Sequence, residues 1–276
     1  MNVAQALVQP EHEVRNLMIS SHSGYRLLAF TEEQELQLAG LPIPIENRLI
    51  AALSHATQQR LVPMLELVKL PSGKVLYESG ERPSYLCFPV TAIVSLLYLT
   101  ECGRSTELVV VGNEGVVGIA LFMGGGSANH CAVVRYAGLG YRVGAQTLKA
   151  EFEQCSEVTA LLLRYTQALL TQTAQTAVCN RHHTVDQQLC RWLLMSLDRL
   201  PDSEIAMTHE SIANLLGVRR EGITEVALKL QSAGLISYCH GHIHVIDRPG
   251  LERRTCECYG VVKREYDRLL SKNAVS

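Results

Sequence analysis

The chain is poor in aromatic residues and has no apolar run long enough to cross a bilayer. Of its 276 residues 5% are Phe, Trp or Tyr, with a single tryptophan. Its longest apolar stretches, Leu108–Val111 and Val116–Met123, fall far short of the roughly 20 residues a membrane helix needs. The N-terminus lacks the basic-then-apolar order of a signal peptide. Nor does either charge dominate: 25 basic and 27 acidic residues leave a net charge of −2. That excludes a protein that coats nucleic acid by bulk electrostatics, though a local basic face would still serve a sequence-specific binder. No C-x-x-C occurs among the nine cysteines, which removes the ordinary zinc-ribbon and iron–sulfur runs. Scattered free thiols without a leader lead to the expectation of a cytoplasmic protein. Cys256-Glu257-Cys258 is the one close pair; it reads as two packed or surface thiols, with a metal or redox site as the alternative. No nucleophile–base pairing, P-loop or metal-spaced carboxylate set is found, so no enzyme is expected.

Present instead is a 47% hydrophobic composition, ample for two folded cores, and one highly informative stretch, Met207 to Ile236. Thr208 is placed to cap a helix, with Glu210 in its first turn. Ile212, Ala213, Leu215 and Leu216 give that helix an apolar stripe, and Gly217 ends it. A second helix is predicted from about Arg219 to Ser232, burying Ile223, Val226, Ala227 and Leu230. Gly234 closes it. Two short strands follow, Leu235–Tyr238 and His242–Ile246, joined by a tight turn at His240-Gly241. This is the residue logic of a winged helix-turn-helix, whose second helix enters a DNA major groove. A small helical subdomain that binds no nucleic acid is the alternative.

Upstream, residues 1–45 read as a loosely ordered extension. Asn47 to about Met64 has helical spacing. From Leu65 to about Val143 short β-rich runs alternate with turns: Leu65–Leu70, Lys74–Tyr77, Leu86–Pro89, Ala92–Leu99, Thr106–Val111, Ala132–Tyr136 and Gly140–Val143. Such even spacing predicts a sandwich or roll. Gln146 to about Leu200 has no proline and only helix-compatible residues, with a break expected near Arg181–Thr184. Val158, Leu161, Tyr165 and Ala168 recur at the steps of a coiled-coil seam, which Gln172 and Gln175 then interrupt. The competing reading packs this helix on its own roll. The expected fold class is therefore α+β: an N-terminal jelly-roll-like β-roll as sensor domain over 46–145, a long dimerisation helix over 146–183 and a C-terminal winged helix-turn-helix over 184–255. A tail over 256–276 admits a helix.

This order of parts resembles the CRP/FNR family of bacterial transcription regulators over about Asn47 to Leu251. The strongest local matches are LPSGKVLYESGE (Leu70–Glu81) and the helix-turn-helix block, with VDQQLCRWLL (Val185–Leu194) in support. The resemblance implies a homodimer on double-stranded promoter DNA, with half-sites about 34–36 Å apart, and RNA polymerase as a further partner. Carried over by position, base reading falls on Arg220, Glu221 and Glu225. Arg220 can grip guanine O6 and N7, and a carboxylate can accept from cytosine N4. Arg219, Thr224 and Lys229, with His240 and His242 at the wing tip, are assigned to phosphates. Glu225 stands where cyclic-AMP-responsive members carry arginine, so their target sequence does not transfer. Gly222 costs the helix about 1 kcal/mol relative to alanine.

The roll departs further from the pattern. Family members that bind cyclic nucleotides use a glutamate for the ribose and an arginine for the phosphate. The matching segment, EGVVGIALFMGGGSANHCAVV (Glu114–Val134), has neither from Gly115 onward. Gly118 or Ile119 falls at the glutamate position and His130 nearest the arginine, making these three the candidate effector-pocket residues. The missing charge would withdraw roughly 1.5–3 kcal/mol per charge-assisted hydrogen bond, so cyclic AMP is not expected. The N-terminal cysteine cluster of oxygen-sensing members is also missing. Haem ligation by His130 with a cysteine is the weaker alternative, and His182-His183 reads as structural. No cofactor is required by the sequence, and the effector is left open.

Overall fold

The computed structural model describes residue 40, residues 43–200 and residues 204–271, so nearly all of the expected N-terminal extension lies outside the described residues. After a 3-10 turn at Pro44–Glu46, the buried Asn47 carboxamide caps α1 (Arg48–Ala52) by accepting from the Leu49 and Ile50 amides. The same side chain donates to the Pro89 and Gly115 carbonyls at 2.8 and 3.0 Å, pinning the helix to the roll. Ser54 caps α2 (His55–Leu61), so the helical spacing of residues 47–64 is realised as two short helices rather than one.

Seven antiparallel strands follow, all within a residue or two of their expected places: β1 Glu66–Leu70, β2 Val75–Tyr77, β3 Tyr85–Pro89, β4 Ile93–Leu99, β5 Ser105–Val111, β6 Cys131–Tyr136 and β7 Gly138–Gly144. They form two sheets, ordered β1-β7-β3 and β2-β6-β4-β5, with the short helix α3 (Ala120–Met123) between β5 and β6. Buried Val, Leu and Ile from both sheets make one core, as packed facing sheets require.

The helical region differs from expectation in two respects. Cys155 adopts an extended backbone (φ −117°, ψ 100°), dividing the stretch into α4 (Ala145–Gln154) and α5 (Ser156–His182). Thr159 Oγ1 donates to the Phe152 carbonyl across this break, compensating for the interrupted ladder. Second, Val158, Leu161, Tyr165, Ala168 and Gln172 are buried within the chain, so the seam expected to join subunits serves the protein's own core. Tyr165 donates to the Val116 carbonyl at 2.9 Å, and Gln172 donates to the Val110 carbonyl at 3.2 Å. The approach is close: a Cβ on Gly115 would stand 2.6 Å from the Tyr165 hydroxyl. The outer face of α5 carries a different stripe, Ala160, Leu163, Gln167, Leu170, Ala174 and Ala177, at alternating three- and four-residue steps, all exposed.

The α5–α6 break falls where expected, with His183 as C-cap and Thr184 opening α6 (Val185–Leu197) by a capping box with Gln187. The described residues close with two further helices, α9 (Arg248–Arg254) and α10 (Glu257–Leu270). Helix α10 returns to pack along α5, where Tyr266 donates to Gln172 Oε1 at 2.9 Å. No helix among the described residues is long and apolar enough to span a membrane.

Candidate nucleic-acid interface

Helices α7 (His209–Leu216) and α8 (Arg220–Ser232) meet through a turn whose geometry follows from its residues. Thr208 Oγ1 accepts from the Ser211 amide at 3.2 Å, and Gly217 takes the left-handed conformation (φ +68°) that lets Val218 N–H return to the Ala213 carbonyl at 3.0 Å. Ile212, Ala213, Leu215 and Leu216 bury one face of α7 against Ile223, Val226, Ala227 and Leu230 of α8. Opposite that buried face, Arg220, Glu221, Glu225, Leu228 and Lys229 are exposed, with Arg219 as N-cap.

Beside α8 stands a three-stranded wing, β8 (Glu204–Ala206), β9 (Ile236–Cys239) and β10 (His242–Val245), in the order β8-β10-β9. Strand β8 has no counterpart in the sequence reading, since three residues leave too short a pattern to recognise. The wing turns at His240 (φ 47°) and Gly241 (φ 87°), both left-handed, as a two-residue hairpin loop demands.

The predicted contact residues have different degrees of freedom. Arg219 is exposed at the N-cap of α8, directly after the turn. Arg220 is exposed and loosely paired with Glu210 at 3.8 Å. Glu225 and Lys229 pair at 2.6 Å, and Lys229 holds the Glu225 carboxyl below its usual range. Thr224 is committed inward: its hydroxyl donates to the Arg220 carbonyl and accepts from His209 Nδ1 at 3.1 Å. His242 Nδ1 is bonded to Glu204 across the wing, while His240 Nδ1 meets the Cys239 thiol at 3.0 Å.

His209 itself was not picked out by the sequence reading. It stacks on Tyr238 with ring centroids 4.1 Å apart, tying α7, α8 and the wing together. Nothing in periodicity signals it, because the stacking partner lies beyond the second helix.

In the roll, two of the candidate effector residues, Gly118 and His130, lie against different strands. A Cβ on Gly118 would stand 2.8 Å from the Tyr85 carbonyl of β3, and Ile119 is the N-cap of α3. His130 meets the Tyr77 hydroxyl of β2 at 2.9 Å, and burial lowers its pKa below the ordinary 6.5. Glu114, the carboxylate at the head of the segment, is buried and bonded to Arg199. His182 is exposed at the end of α5.

Residues 187–254 match the Crp-like helix-turn-helix domain family. The fold as a whole resembles solved structures at low identity. A protein from Eubacterium rectale assigned to the CRP/FNR family of transcriptional regulators is 18% identical, with a TM-score of 0.59 over 74% of this chain and 96% of that one. FixK2 from Bradyrhizobium japonicum is also 18% identical, with a TM-score of 0.61 over 70% and 98% of the two chains. The global regulator CLP of Xanthomonas campestris, described as c-di-GMP responsive, is 18% identical with a TM-score of 0.56 over 70% and 100%. A comparison with curated proteins finds no match. The chain thus has the architecture of the CRP/FNR transcription regulators, with a Crp-like helix-turn-helix domain at residues 187–254.

Proposed function

We propose that the protein is a sequence-specific regulator of transcription that binds double-stranded promoter DNA as a homodimer. One observation carries this reading: the face of α8 opposite its buried stripe presents Arg219, Arg220, Glu221 and Glu225 to solvent, beside a wing. Arg220 reads guanine, and Glu221 and Glu225 accept from cytosine. Arg219, Lys229, His240 and His242 approach phosphates. Thr224 contributes less directly, since its hydroxyl is already bonded to Arg220 and His209. Lys229 reaches a phosphate by leaving Glu225, and the near-neutral net charge implies a modest salt dependence.

Dimerisation uses the outer stripe of α5, where Leu163 and Leu170 are 50% and 66% exposed one heptad apart, with Gln167 between them and Ala160, Ala174 and Ala177 flanking. Two-fold symmetry then sets two α8 helices in successive major grooves. RNA polymerase is the expected further partner, and the activity is regulatory rather than catalytic. The roll responds to an effector other than cyclic AMP or acts as a scaffold. The test is selection of bound DNA from a random pool. A palindromic preference is expected, and Arg220→Ala should remove about 1–3 kcal/mol of discrimination at one base pair. Binding that is weak and indifferent to sequence in the unsubstituted protein would overturn the reading.

A second reading, a ligand-binding or protein-docking module that no longer reads DNA, draws on the Glu225–Lys229 pair, which neutralises the lysine of the α8 face. It expects no selected sequence even at low salt.

A further inference from the structure

The C-terminal end of α5 and the start of α10 bring four metal-ligating side chains to one point. Cys179 and His183 stand one turn apart, and His183 ends α5 as its C-cap. Cys256 is the N-cap of α10, and Cys258 lies in its first turn. Cys179 Sγ is 3.6 Å from Cys256 Sγ, and Cys258 Sγ is 3.6 Å from His183 Nδ1. All four donor atoms lie within 4.8 Å of one another, the three cysteines buried and the histidine half-buried.

We propose that Cys179, His183, Cys256 and Cys258 form a closed tetrahedral Zn2+ site that clamps the hinge between α5 and α6 to the C-terminal helix. Zinc in such a site binds sulfur at about 2.3 Å and nitrogen at about 2.0 Å, which places sulfurs about 3.8 Å apart and sulfur from nitrogen about 3.5 Å apart. The separations here already approach that geometry. A cubane iron–sulfur cluster needs its ligands spread more widely around four irons, and three thiolates with one imidazole suit zinc better than the oxygen-loving cations. Glu257 Oε2 lies 3.4 Å from His183 Nε2, so its charge favours the tautomer that keeps the proton on Nε2 and leaves the Nδ1 lone pair for the metal. Three thiolates around one Zn2+ leave a single negative charge. Arg191 acts electrostatically on both Cys179 and Cys258, and the N-terminus of α10 adds a favourable dipole. Any of the three sulfurs that is protonated gives its proton to solvent on binding, so zinc affinity rises with pH.

The site has a structural consequence. His183 and Thr184 are the hinge into the helix-turn-helix, where the start of α10 meets the end of α5 through the thiol contacts and the Glu257–His183 ion pair. The test uses the full chain, reduced, loaded with zinc and desalted. One zinc per chain by elemental analysis is expected, and cobalt(II) in its place should give the intense visible bands of a tetrahedral thiolate site. The double variant Cys256→Ser/Cys258→Ser should lose both signals while keeping its helical circular dichroism. The pair Cys102→Ser/Cys239→Ser, at two exposed cysteines outside the cluster, should keep them. Glu257→Gln should weaken zinc binding by about 10-fold. Chelation should lower the thermal midpoint of the unsubstituted protein and leave the double variant unmoved. Three outcomes would overturn the proposal: no zinc retained by the folded chain, equal retention by the double variant, or a Cys179–Cys256 disulfide that persists in the zinc-loaded protein.

Discussion

His209 joins the two helices of the helix-turn-helix unit through one proton. Thr224 donates its hydroxyl hydrogen to Arg220, so His209 Nδ1 must supply the hydrogen between the two side chains. Its Nε2 is then buried as an acceptor without a partner among the described residues. Burial, and secondarily the charge of Arg220, lower its pKa below the ordinary 6.5. The unfolded chain takes up this proton more readily than the fold, so the histidine's contribution is whole above about pH 6.5 and shrinks as pH falls through it. His130 in the roll has the same sign. Thermal melts should therefore give a lower midpoint at about pH 5.5 than at about pH 7.5, with a smaller difference in His209→Gln. At Gly217 backbone conformation decides: φ is +68° and the nearest atom to an added Cβ is Thr106 Oγ1 at 3.3 Å. Gly217→Ala should cost about 1–2 kcal/mol in a urea melt, mainly from the left-handed backbone.

Elements are joined across the molecule by buried ion pairs. Arg199, just past α6, meets Glu114 of the roll at 2.7 Å, with side chains 6% and 5% exposed. Its Nη1 also donates to the Met195 carbonyl at 2.6 Å. Nearby, Arg135 of β6 meets Glu107 of β5 at 3.0 Å and lies over the Trp192 ring of α6. Both arginines bind the roll to α6, the helix that leads into the helix-turn-helix unit. Arg199→Met leaves a buried carboxylate uncompensated and should lower the unfolding free energy by about 3–5 kcal/mol. Adding Glu114→Leu should restore much of that loss, since an apolar pair avoids the desolvation of both ions. A double variant no more stable than the single one would show that the fold depends on the ionic link itself.

At the scale of the whole molecule, α5 is used on two sides. One side is sealed by the roll and α10, through Tyr165 and Gln172. The other leaves Leu163 and Leu170 exposed, the face assigned to a second copy in the proposed dimer. Leu163→Glu/Leu170→Glu should shift the protein to a monomer in sedimentation equilibrium while its circular dichroism is kept. DNA affinity should fall with it, because one half-site then binds without the other.

Much of this architecture was legible in the residues. Seven roll strands, the Thr208 cap, the Gly217 turn, the inward stripe of α8 and the hairpin at His240-Gly241 all follow from local chemistry, which acts over a few residues and leaves its period in the sequence. The extended residue at Cys155 was not legible, because every residue around it is compatible with a helix. The face of α5 turned inward was not legible either. Both its stripes keep the heptad step, and only the roll and α10, packed from distant parts of the chain, decide which one is buried. The same holds for the cluster of Cys179, His183, Cys256 and Cys258, whose first and third members are 77 residues apart. Sequence alone determined the seven roll strands, the two helices and hairpin of the winged unit, and the chemistry of the α8 face. Tertiary structure decided which side chains remain free to act, because burial and ion pairing depend on what each element is packed against.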